Sequence, residues 1–89
     1  MNTRLIQWAS DLQRHLFHDG NSSGKVLACD NGTVKIDVEN EPTMSIGPNP
    51  TDIKPLPGGR WYNWQTEGYF LCVRFREFLK ANPFPQETQ

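Results

Sequence analysis

An excess of charge of either sign is lacking: 9 Lys and Arg stand against 10 Asp and Glu, a formal net charge of −1. The chain-wide cationic field that draws a protein onto nucleic acid or anionic lipid is thereby excluded, and nucleic-acid binding would need a local patch. Long hydrophobic runs are missing too. The longest, Tyr69 to Val73, is far too short to cross a bilayer, and the opening MNTRLIQWASDLQRH lacks the apolar core of a secretory signal. The expectation is a cytoplasmic protein with no membrane partner. Under it, NSS at Asn21 and NGT at Asn31 read as turns rather than glycosylation acceptors.

Cysteine is limited to Cys29 and Cys72, with no CxxC pair. In a reducing compartment both are expected as free thiols. His15 and His18 stand one helical turn apart, but no second ligand pair has zinc spacing, so no metal site is expected. There is no phosphate-cradling glycine loop, no dinucleotide fingerprint, no nucleophile-and-base motif and no spaced carboxylate pair. We therefore expect no cofactor, no catalytic residue and no enzyme. A chain of 89 residues leaves little room for both a core and a pocket.

What is present organises residues 1–89 as a single domain. Leu5, Trp8, Ala9, Leu12 and Leu16 recur at three- and four-residue steps, the spacing of a helix over about 3–18, with Ile6 and Phe17 widening its apolar side. A hairpin is expected over 25–39, around the Asn31-Gly32 dipeptide that suits a two-residue turn. That turn sets Leu27 opposite Ile36 and Cys29 opposite Val34. Leu27, Cys29, Val34, Ile36 and Val38 then share the apolar face.

Residues 40–60 carry five of the seven prolines, which permits only short strands and loops. An aromatic strand over 61–65, a helix over about 67–81 stopped by Asn82-Pro83, and a flexible tail over 83–89 complete the reading. Strand competes with helix over 69–75, where the residues are mostly aromatic or apolar. An isolated hairpin needs cover, and the two helices supply it. The expected class is α+β: a small antiparallel sheet, or partly open barrel, of three to five short strands flanked by an N-terminal and a C-terminal helix. The short strands with Pro and Gly punctuation resemble small SH3-like barrels over residues 24–64, a likeness of fold alone.

The stretch GGRWYNW concentrates the residues that dominate interface energy, so Arg60, Trp61, Tyr62 and Trp64 are the candidate partner-binding residues. In a strand, Tyr62 and Trp64 would face one way and Trp61 and Asn63 the other. The expected function is a small accessory module that binds another protein or a second copy of itself, through this patch or by strand addition at an edge left by the proline-rich segment. The alternative is single-stranded nucleic acid stacked on Tyr62 or Trp64, with Arg60, Arg74 and Arg76 as a basic rim.

Overall fold

A computed structural model of the protein describes residues 3–85. Helix α1 spans Thr3–Phe17 and buries Leu5, Trp8, Ala9, Leu12 and Leu16, while Ile6 stays exposed. Its last carbonyls, which no helical N–H reaches, are each supplied with a donor. His18 Nδ1 meets the His15 carbonyl at 3.0 Å, Arg74 donates to Leu16 at 2.9 Å, and Gly20, with φ 72°, donates its N–H to Phe17 at 3.3 Å.

Strands β1 (Gly24–Ala28), β2 (Val34–Val38), β3 (Met44–Ile46) and β4 (Ile53–Pro55) form an open antiparallel sheet in that order. The hairpin is present, but its register differs by one residue from the expected one. Val26 lies opposite Ile36 and Ala28 opposite Val34. The turn is the cause. Gly32 N–H closes onto the Cys29 carbonyl at 3.1 Å, Gly32 takes φ 85°, and Cys29 N–H bonds to the Thr33 carbonyl at 2.8 Å. Asp30, Asn31 and Gly32 therefore make a three-residue loop with glycine in the left-handed position, instead of a two-residue turn on Asn31 and Gly32. Because side chains alternate, the slip turns every β1 side chain over. Val26 is buried, Leu27 is 51% exposed and Cys29 is half-exposed, whereas Val34, Ile36 and Val38 are buried as their alternation requires.

The proline-rich stretch yields β3 and β4, joined by a turn in which Gly47 N–H donates to the Asp52 carbonyl at 2.7 Å. Residues 61–65 are not a strand. Arg60–Asn63 form a 3-10 turn, η1, and α2 then runs Phe70–Ala81 with Tyr69 as its N-cap, which settles 70–75 as helix rather than strand. Nor are residues 83–85 a free tail. Phe84 is buried with its ring 5.1 Å from that of Trp8, and the Trp8 indole N–H donates to the Asn82 carbonyl at 2.9 Å. Residues 86–89 lie outside the described ones. α1 runs along β1, and α2 packs on α1. One apolar core joins both helices, η1, Phe84 and the inward side chains of the sheet. The opposite sheet face carries Leu27, Lys35, Ser45 and Lys54 in one row across the four strands, with Lys25 opposite Asp37 in the next.

Candidate functional site

A 3-10 turn repeats every three residues, so Trp61 and Trp64 fall on the same side of η1. A strand would have set them on opposite sides. Both rings accordingly meet Phe75 edge-on, at 5.7 Å and 5.2 Å between centroids. Trp61 is 1% exposed and Trp64 half-buried, while Tyr62, between them, is 53% exposed. Of the four residues singled out from the sequence, Arg60 and Tyr62 thus stand in solvent, Trp64 shows part of its ring, and Trp61 is core.

The turn is fixed at both ends. The Glu41 carboxylate accepts the Arg60 backbone N–H at 2.8 Å, where the first N–H groups of η1 have no partner within the turn. Cys72 Sγ donates to the Arg60 carbonyl at 3.6 Å, and burial pushes its thiol up to about 11, which keeps the proton in place for that contact. At the other end Arg76 donates to the carbonyls of Trp64, at 2.6 Å, and Glu67, at 2.8 Å. Gly59 allows the approach of Glu41 and Pro42, because a β-carbon there would lie 2.7 Å from Pro42 Cδ. The Arg60 guanidinium lies 4.7 Å from the centre of the Tyr69 ring. Leu56, just past β4, is exposed beside the Pro57-Gly58-Gly59 bend that leads into η1.

Sequence reasoning missed Glu41 and Tyr69, and it placed Leu56 inward beside Met44, Ile46 and Ile53, whereas Leu56 is exposed. A carboxylate 19 residues upstream has no local signal that marks it as the cap of a later turn. Of the basic rim expected for nucleic acid, Arg60 is exposed while Arg74 and Arg76 are engaged within the fold. Arg74 is held by Asp19 and the Leu16 carbonyl with its guanidinium over Phe70, and Arg76 is turned onto backbone carbonyls. The Arg74 contact, followed by the Asn21 N–H, keeps the Asp19 carboxyl well below the usual carboxylate range.

Strand addition is poorly served at both sheet edges. On β4 the outward N–H groups belong to Ile53 and Pro55: the first donates to the Thr51 carbonyl at 3.0 Å, and proline has none. On β1 the outward Val26 N–H is taken by the Gln13 side-chain carbonyl at 2.9 Å, and Phe17 lies against Gly24. A shallow hollow of about 390 Å³ beside this edge is lined by Gln13, Arg14, Phe17 and His18. The rings of His15 and His18 do not converge, since His18 turns to a backbone carbonyl and His15 Nε2 is buried near Phe78. Among the described residues no three His, Cys, Asp or Glu side chains come together as metal ligands, and no helix is long and apolar enough to cross a membrane. Compared with protein-family models, curated proteins and solved structures, the chain has no match.

Proposed function

We propose that the chain is a non-enzymatic cytoplasmic binding module that docks another protein on the turn Arg60–Trp64, with Tyr62 as the anchor and Arg60 beside it. The observation that carries the reading is a large aromatic side chain, half in water, on a turn immobilised by Glu41, Cys72 and Arg76. Tyrosine on a rigid backbone offers contact area at small entropic cost, which is why such residues dominate interface energy. The reading rests on this surface and not on the likeness to SH3-like barrels. A second copy of the chain is the partner that needs no other component.

Single-stranded nucleic acid is the weaker reading, since Arg74 and Arg76 are engaged within the fold and Lys25, Lys35 and Lys54 stand on a sheet face without aromatic rings. The test is a photo-crosslinking residue placed at position 62 in the native cell, with position 27 as an exposed control. Protein adducts confined to position 62 support docking at the turn, and an adduct of twice the chain mass names a second copy. Equal adducts at both positions, or crosslinks to nucleic acid, would refute the reading.

A further inference from the structure

Arg14, Arg60, Arg74 and Arg76 differ in what their terminal nitrogens do. Arg14 pairs with Asp11, Arg74 with Asp19 and the Leu16 carbonyl, and Arg76 with two backbone carbonyls. Arg60 is held differently. Its backbone N–H and carbonyl are bound by Glu41 and Cys72, its guanidinium rests on the Tyr69 ring, and its Nε lies 4.0 Å from Glu41 Oε2. Neither terminal nitrogen, Nη1 or Nη2, bonds to any described residue, and the side chain is 64% exposed. A stacked, oriented guanidinium with its outer edge open is a planar fork, and the group that matches it with two parallel hydrogen bonds is a carboxylate or a phosphate.

We infer that Arg60 and Tyr62 together receive an acidic segment of a partner protein, an Asp or Glu side chain pairing with the Arg60 fork while an adjacent apolar side chain lies on the Tyr62 ring. The inference rests on the proposed docking at the turn and names the chemistry of what docks. Protein is favoured over nucleic acid because a polyphosphate chain must be neutralised by several cations in line. Here Arg60 is a single open fork, with Glu41 beside it and the nearby Arg76 turned inward.

The experiment selects peptides from an unbiased random library on the intact chain and titrates the enriched peptides against wild type, Arg60→Lys, Arg60→Gln and Tyr62→Ala, each checked for its fold by circular dichroism. An oligodeoxythymidine is titrated in parallel. Enriched peptides are expected to carry Asp or Glu next to an apolar residue. Arg60→Lys, which keeps the charge but loses the fork, should weaken them about tenfold or more, Arg60→Gln at least as much, and Tyr62→Ala should abolish binding. Loss in Tyr62→Ala without loss in either Arg60 variant overturns the carboxylate but leaves the docking turn standing. Indifference to Tyr62→Ala overturns both. Failure to enrich any peptide, or tight oligodeoxythymidine binding that falls steeply with salt and needs Arg60, also overturns the inference.

Discussion

Trp61 and Tyr62 are neighbours in the chain and should behave as opposites. Trp61→Ala removes a fully buried indole that packs edge-on against Phe75 and Tyr69, and substitutions of this kind cost about 3–5 kcal/mol. For a chain of this length the total stability is about 4–13 kcal/mol at 0.05–0.15 kcal/mol per residue, so the loss takes about a quarter of it or more. At about 4–8 °C per kcal/mol, the melting temperature should fall by roughly 12–40 °C, and a weakly stable background would not fold at all. Tyr62→Ala deletes a ring already half in water and should stay within about 0.5 kcal/mol, or less than about 4 °C.

Trp61→Phe refines the comparison. The indole Nε1 of Trp61 is buried without a hydrogen-bond partner among the described residues, an arrangement that costs about 1–3 kcal/mol. Phenylalanine removes that donor and keeps a ring on Phe75, so its net cost should be clearly smaller than that of alanine. Urea denaturation of the three variants, followed by tryptophan fluorescence and circular dichroism, gives all the differences. If Tyr62→Ala loses as much stability as Trp61→Ala, the turn is structural throughout and the docking surface does not exist.

The hairpin register is tested by lysine: Val26→Lys should lose about 3–5 kcal/mol by urea denaturation and Leu27→Lys less than about 0.5, and the reverse order would restore the two-residue turn. Phe84→Ala should cost about 3–5 kcal/mol through its contact with Trp8. Gly47→Ala should destabilise as well, because its φ is 93° and a β-carbon would lie 2.6 Å from the Phe84 ring. Because Arg74 holds the Asp19 carboxyl below its ordinary value of about 3.9, that contribution to stability is complete above this pH and is lost as pH falls beneath it. Asp19→Asn should therefore flatten the acid limb of the stability profile. Gln13→Ala uncovers the Val26 N–H and should increase self-association on sedimentation, an effect that Gln13→Asn, whose carbonyl is one methylene shorter, relieves only in part.

The helix spacing of Leu5, Trp8, Leu12 and Leu16 and the strict alternation of β2 were readable because each repeats a physical period, and they were enough for the α+β class. β1 was not readable in the same way. Val26, Leu27, Ala28 and Cys29 are all apolar or small, so the pattern cannot say which set faces inward, and the choice passes to the length of the turn. The η1 segment was misread because Trp and Tyr favour strands wherever neighbours on a sheet receive them. Here the neighbours are Phe75 and the Glu41 carboxylate, both distant in sequence. Asn82-Pro83 did mark the end of α2, but that Phe84 returns to the core depends on the space that Trp8 and Gly47 leave for its ring.

The same contacts narrow how a partner can approach. With Pro55 and the engaged Ile53 N–H on one edge, and Gln13 and Phe17 over the other, backbone pairing is disfavoured on both sides of the sheet. The open sheet face offers Leu27 among lysines, whose flexible side chains lose entropy on being ordered. At η1 the ordering is already complete: the backbone is held at both ends, the guanidinium of Arg60 is stacked, and Tyr62 has only its ring to place. Association there would need few further groups to be ordered, which is the physical ground for the docking proposed at this turn.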